Sequence, residues 1–386
     1  MFAGRSLKLV TLFGIRIGVS TSWFVILFLL LYLFTQNFQR DLDIGSTAAF
    51  AVAVAAAVLF FGSILLHELG HALAARREGI EVAGIDLFIF GGVMKMSREG
   101  SSAGAMFRIA VAGPVVTVLI VLLGGALGAV LLGWGGIYDA ARLEAQSGTT
   151  AVEQLLSLLV ALNVILLVFN LIPALPLDGG QILRSAVWAG TGDRSKGTRV
   201  AAFLGQGFSY LLMAYGVYQL LRGDTFGGIW SIGLGYLIGQ SARSASVQNA
   251  FTERLEGVTV ADIMDPNPVT IPAGLDSAQA YEEFFERYHG WDRFAVVEDG
   301  GQFVGIAERA TVQRAAGSGR SAVRQVTNAD SAEERVLTDA PLESLLGSEP
   351  LRRLGALMVL DREGRLRGVV TVEQVSRALA AHLAPA

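Results

Sequence analysis

Thr47-Ala-Ala-Phe-Ala-Val-Ala-Val-Ala-Ala-Ala-Val-Leu-Phe-Phe-Gly-Ser-Ile-Leu-Leu-His67-Glu68-Leu-Gly-His71-Ala-Leu-Ala-Ala75 is the stretch on which the fold turns. It is uncharged from Thr47 to Leu66, and about 20 such residues cross the hydrocarbon core of a bilayer. The helix is expected to run on past Ala75. His67 and His71 then stand at i and i+4, on one helical face, where two imidazoles can grip one metal ion. Glu68 sits beside the first of them, placed to take a proton from water activated by that ion. Ionisable groups inside a span are costly and mark function, whereas a pair of hydrogen-bonded helix histidines is the structural alternative.

Five further spans are expected on either side: about 20–36 with Trp23 near one end, 105–133 interrupted by Gly113-Pro114, 152–172, 200–221 and 226–242. The last two are Gly-rich. The loops alternate in Lys and Arg. Arg5, Lys8 and Arg16 precede the first span, and Arg40 alone follows it. Arg76, Arg77, Lys95, Arg98 and Arg108 lie between the second and third. Arg142 follows the third, and Arg184, Arg194, Lys196 and Arg199 follow the fourth. This bias puts both termini in the cytoplasm, in the cell membrane, with 37–46 and 134–151 outside.

The whole chain agrees with a membrane front. Of 386 residues, 52% are hydrophobic and 17% charged, against roughly 25% charged in soluble proteins. Residues 1–246 hold 16 Lys+Arg against 13 Asp+Glu, and residues 247–386 hold 14 against 21. No basic patch supports nucleic-acid binding. The chain has no cysteine, which excludes disulfides, thiolate metal sites and a cysteine nucleophile.

Segment 82–97 is too short to span. Its apolar runs flank Gly91-Gly92, a hairpin signal. It is either a short loop with apolar anchors or a hairpin dipping towards the bilayer beside a protein-lined cavity.

A catalytic zinc usually takes three protein ligands and leaves one position open. His289 and His382, the other two of four histidines, lie in the polar tail. Among the acidic residues Asp178 has the most suggestive setting, in Asn170-Leu-Ile-Pro-Ala-Leu-Pro-Leu-Asp178-Gly-Gly at the end of the fourth span. Pro173 and Pro176 free backbone groups there. Asp178 has a second reading, as the cap of a helix over 179–189. Asn163 and Asn170 share a face of the fourth span, as packing glue or as donors to a substrate.

His67-Glu-x-x-His71 on an early span, with Asn170-x-x-Pro-x-x-Pro-x-Asp178-Gly-Gly on a later one, resembles the site-2 protease family of intramembrane zinc metalloproteases over about residues 8–245. The resemblance implies one zinc ion, with Asp178 as third ligand, Glu68 as general base and Asn170 orienting the substrate. The family often has Gly-Pro-x-x-Asn in the following span. Here Gly113-Pro114-Val-Val-Thr117 keeps a hydrogen-bonding side chain and loses the amide.

The tail reads as two similar units. Phe294-Ala-Val-Val through Gly305-Ile306 aligns with Leu357-Met-Val-Leu through Gly368-Val369, and Val260-Ala-Asp-Ile263 with Val323-Arg-Gln-Val326, always 63 residues apart. Each is expected to run helix, strand, helix, strand-turn-strand, helix. The units resemble cystathionine-β-synthase-type (CBS) domains, which commonly pair and bind adenosyl ligands. Their usual Gly-apolar-apolar-Ser/Thr-x-x-Asp appears as Gly305-Ile-Ala-Glu308-Arg-Ala-Thr311 and Gly368-Val-Val-Thr371-Val-Glu-Gln374, both without the Asp.

The expected architecture is a multi-pass α-helical membrane protein of about six spans with a C-terminal α/β tandem CBS module. Its parts are a metalloprotease domain over 1–245, a linker over 246–256, and CBS units over 257–316 and 321–380. The expected activity is zinc endopeptidase cleavage of transmembrane segments in membrane-held regulatory proteins. The tail would regulate it through an adenosyl nucleotide or a protein partner, or as a homodimer contact. The alternative is an ion channel or transporter gated by the tail.

Overall fold

The computed structural model describes residues 6–89, 91–141, 150–255, 257–318, 321–328 and 334–383. Two compact units divide at Asn249 and Ala250.

The first unit opens with two strands, β1 (Leu7–Leu12) and β2 (Ile15–Val19), joined through Phe13 and Gly14, both at positive φ. Helices α1 (Thr21–Leu42) and α2 (Ser46–Arg77) follow, then β3 (Val82–Phe88) and β4 (Gly91–Met96). Next come α3 (Ala103–Ala141), α4 (Ala151–Asn170), α5 (Asp178–Thr191), α6 (Arg194–Leu221) and α7 (Thr225–Leu255).

Five helices, α1, α2, α3, α4 and α6, are long and apolar enough to cross a membrane. The sixth expected span lies in α7, which is continuous but diluted by Gly227, Gly228, Gly233, Gly235 and Gly239. Residues 246–255 continue α7 as its last turns. Their composition reads as a linker, but no Pro or Gly interrupts the helix before Gly257. Residues 142–149, inside the second expected outer loop, and Phe90 lie outside the described residues.

The four strands form one sheet in the order β1-β2-β3-β4. The β3–β4 hairpin confirms the expected pairing, but Gly91 and Gly92 are its first β4 residues, opposite Phe88 and Leu87. The N-terminal pair is an addition to the expected elements; in its second strand Ile15, Ile17 and Val19 alternate with Arg16 and Gly18. The buried face of the sheet packs on α2: Ile15, Ile85 and Val82 meet Leu69, Ala72, Ala75 and Ile109 in one apolar cluster. That cluster fixes the sheet against the helix carrying both histidines.

The second unit holds α8 (Val260–Ile263), β5 (Thr270–Pro272), α9 (Ser277–Ala280), β6 (Arg293–Val297), β7 (Phe303–Glu308), α10 (Arg309–Ser318), β8 (Arg335–Leu337), α11 (Glu349–Leu354), β9 (Ala356–Leu360), β10 (Leu366–Thr371) and α12 (Val372–Leu383). In its first half β5 pairs parallel and β7 antiparallel to β6. In the second half β8 and β10 pair with β9 in the same senses. The repeat in sequence is thus a repeat in topology, and each half has its own apolar core.

Candidate metal centre

Helix α2 delivers two imidazoles one turn apart. Their ring centroids are 4.9 Å apart and nearly perpendicular, at 79°, and their Nε2 atoms face each other at 3.2 Å. Both rings are buried. Asp178 comes from the first turn of α5, with Oδ2 2.9 Å from His67 Nε2 and Oδ1 3.3 Å from His71 Nε2. The three ligand atoms lie within 4.8 Å of one another, and no other such His/Asp/Glu group occurs among the described residues. The cap reading of Asp178 fails on geometry. Leu177 holds the cap position, Asp178 already lies within the helix, and its carboxylate turns to the imidazoles.

The far nitrogens fix what the near ones can do. His71 Nδ1 lies 2.7 Å from the Ile109 carbonyl, which can only accept, so Nδ1 carries a proton and Nε2 is the atom that the neutral ring turns to a metal ion. His67 Nδ1 lies 2.8 Å from Thr117 Oγ1, and that hydroxyl donates to the Gly113 carbonyl at 3.4 Å. Thr117 therefore accepts from His67 Nδ1, which leaves the Nε2 of the neutral ring to face the same point. Asp178 Oδ2 is buried and has no donor in hydrogen-bonding geometry, although His67 Nε2 is near. In their neutral forms the two imidazoles thus turn Nε2 lone pairs, together with a carboxylate, onto one point. A proton or a metal cation relieves the repulsion within such a set, and nitrogen and carboxylate donors suit zinc.

Close backbone approach makes the cluster possible. A Cβ on Gly113 would collide with His71 Nε2, and one on Gly92 would collide with Glu68 Cγ. Pro114 supplies no N–H to the carbonyl of Ala110, loosening α3 beside the Ile109 carbonyl that His71 uses. At the other entry, Cβ atoms on Gly179 and Gly180 would strike the backbone of Leu171 and Ala174, so the loop from α4 folds tightly onto α5.

The remaining expected residues lie apart from the ligand set. Asn163 is fully buried, its Nδ2 donating to Leu159 O at 2.8 Å and its Oδ1 without a partner. Asn170 is half-buried at the end of α4, with no side-chain hydrogen bond among the described residues. His289 lies in the second unit, and the His382 side chain is outside the described residues. The Gly92, Gly113 and Ile109 contributions were missed. Two are absences of a side chain and one is a backbone carbonyl, none of which has a chemical signature in one dimension.

An apolar helical unit enclosing a His-His-carboxylate centre defines a membrane-embedded metallohydrolase. The peptidase family M50 model matches residues 55–214, and the CBS domain model matches residues 260–317. The chain is 33% identical over 305 residues to sll0528 of Synechocystis sp., covering 79% of this chain and 76% of that protein. It is 31% identical over 312 residues to Rip3 of Mycobacterium tuberculosis, covering 78% and 75%. Both relatives are named as candidate zinc metalloproteases. Among solved structures, a site-2 protease from Methanocaldococcus jannaschii matches 63% of this chain and 95% of its own, at 26% identity and a TM-score of 0.40. The chain belongs to peptidase family M50, the site-2 protease family of zinc metalloproteases, and carries a C-terminal CBS module.

Proposed function

We propose that this protease hydrolyses peptide bonds within transmembrane segments of membrane-held regulatory proteins, using one zinc ion held by His67, His71 and Asp178. The observation that carries the reading is the converging ligand set on apolar helices, with Glu68 next to its first histidine and against Gly92 of β4. When bound, the zinc ion supplies Lewis acidity toward a peptide carbonyl and a water molecule. Glu68 accepts the proton from that water on its carboxylate and passes it to the leaving amine. The free amide of Asn170 is available to orient a substrate carbonyl. Asn163 is given the packing role, because its Nδ2 is spent on its own helix.

Among the described residues, strand β4 has β3 as its one neighbour in the sheet. A transmembrane helix hides its scissile carbonyls. A substrate segment unwound and added to the open edge of β4 would expose them. Because Glu68 packs on Gly92 within that strand, the added strand would pass the general base. A channel or transporter gated by the tail needs neither Glu68 beside His67 nor the glycine that admits it.

The orientation supported by the Lys/Arg alternation places both termini in the cytoplasm of a cell-membrane protein. The tail then acts as a regulator, receiving an adenosyl nucleotide or a protein partner, or pairing two copies. The test is cleavage in proteoliposomes of a single-span substrate, by the native chain and by Glu68→Gln. Equal rates would reject the proposal.

A further inference from the structure

Arg184, on α5, is buried, and a guanidinium keeps its charge there. It must therefore be paired. Its Nη2 donates to Glu99 Oε2 at 2.7 Å and its Nη1 approaches Glu99 Oε1 at 3.5 Å and Gln181 Oε1 at 3.4 Å. Glu99 lies between β4 and α3. It also pairs with Arg194 at the start of α6.

One end of this bridge is the helix that carries Asp178, and the other lies just before the helix that orients the imidazoles delivered by α2. Helix α5 begins with Asp178, six residues before Arg184, which is about 9 Å along the axis and about 240° around it. Arg184 thus reaches away from the ligands, towards the segment that starts α3. Helix α3 supplies the Ile109 carbonyl, the bare Gly113 and the Thr117 hydroxyl that orient both imidazoles.

We infer that Glu99 and Arg184 are positioning residues: their ion pair sets the distance of Asp178 from His67 and His71, and so the affinity for the metal. This rests on the proposed role of Asp178 as a ligand. Neither residue touches the metal set. Loss of a partner hydrogen-bonded to a metal ligand typically costs roughly 10- to 100-fold in metal affinity; this pair acts one step further out, through the helices that place those groups, and the lower end is the scale expected here.

The experiment measures zinc retained by the full chain in detergent against a graded chelator, and thermal unfolding of the metal-stripped protein. Arg184→Gln and Glu99→Gln are expected to release zinc at roughly 10-fold or more lower chelator demand, with metal-stripped unfolding close to the native chain. Arg184→Lys, which keeps the charge and loses the fork, is expected to recover part of the affinity. Asp339→Asn, which breaks an exposed pair with Arg362 in the second unit, should leave zinc retention unchanged. Native affinity in folded Arg184→Gln and Glu99→Gln overturns the inference. So does lowered unfolding temperature with native affinity, which marks a purely structural pair. If Arg184→Gln does not fold, Glu99→Gln and Arg184→Lys decide in the same way. Asp178→Ala separates the levels: its native zinc affinity would reject the ligand assignment itself, whereas its loss beside native affinity in the pair variants rejects the positioning role alone.

Discussion

The Thr117 hydroxyl lies 2.8 Å from Nδ1 of His67, and both side chains are buried. The family resemblance leads to an expectation of Asn at this place, and the geometry explains what a hydroxyl accomplishes in its stead. It accepts the ring proton, fixes the tautomer and turns Nε2 towards His71 and Asp178. Thr117→Val keeps the shape and removes the acceptor. Zinc affinity is expected to fall roughly 10- to 100-fold, with Thr117→Ser near native. Unchanged chelator resistance in Thr117→Val would remove the hydroxyl from the account.

Chemistry and metal binding should separate at Glu68. Glu68→Gln preserves size and loses the base. Its zinc content should be full, and its cleavage reduced by roughly 100-fold to 10,000-fold. His67→Ala, His71→Ala and Asp178→Ala should lose metal and activity together. Metal analysis beside cleavage rates gives both readings from one preparation.

Gly92 tests the placement of that base by geometry alone. A Cβ there collides with Glu68 Cγ, the middle of the side chain rather than its mobile end. Gly92→Ala is expected to displace Glu68 and lower kcat by at least roughly 10-fold, within the range assigned to a positioned base. Zinc content should stay native, because the ligands are untouched. Native kcat would mean that Glu68 works from another position.

The proposed ligand trio and general base were legible because each is a rare side chain at a meaningful spacing. His67 and His71 follow from helical periodicity. Asp178 needed the fold, since helix cap and ligand demand the same residue before a Gly-Gly pair. The tie from Glu99 to Arg184 was not legible, because 85 residues separate two ordinary charges and only the packing of α5 against α3 brings them together. Strand β2 shows the opposite case: Ile15, Ile17 and Val19 alternate with Arg16 and Gly18, a strand pattern present in the sequence itself.

The sheet carries a pH-dependent contact. Burial pushes the Asp86 carboxyl up, but Lys95 at 2.5 Å, the Ser6 hydroxyl and Arg16 outweigh it and hold the group below its ordinary 3.8. A folded value below the unfolded one means stabilisation that is complete above the unfolded value and lost as pH falls through the folded one. The stability gap between the native chain and Asp86→Asn should therefore be larger at about pH 7 than at about pH 3. Thermal unfolding at the two pH values checks it, and a constant gap would show that the charge on Asp86 contributes nothing.

Topology follows from the Lys/Arg alternation and can be read on single introduced cysteines, since the chain has none of its own. Residues 37–46 should react with an impermeant thiol reagent added to intact cells, and residue 250 should not. Labelling at 250 from outside would invert the scheme and place the CBS module away from the cytoplasm.

The tail should tune the protease without supplying its chemistry. Residues 1–249 contain the whole ligand set, and the second unit has separate apolar cores. A chain ending at Asn249 is therefore expected to bind zinc and keep part of its cleavage, with altered regulation. Complete loss of zinc from that folded chain would refute the division. The nucleotide question is sharper. Where CBS domains usually carry Asp, the second half has Gln374, and its Oε1 accepts from the Thr371 backbone N–H at 2.8 Å. The Thr371 hydroxyl meanwhile accepts from the Gln374 backbone N–H at 3.2 Å. The pair closes on itself as a helix cap for α12, so a ribose would have to displace bonds already made. In the first half Glu308 stands where the hydroxyl is expected and is paired with Arg293 at 2.7 Å. Calorimetry of residues 250–386 with AMP and ATP is therefore expected to show weak binding, poorer than micromolar. Micromolar or tighter binding would mean that these self-satisfied groups reopen at little cost. Weak binding together with changed cleavage on removal of the tail would favour a protein partner.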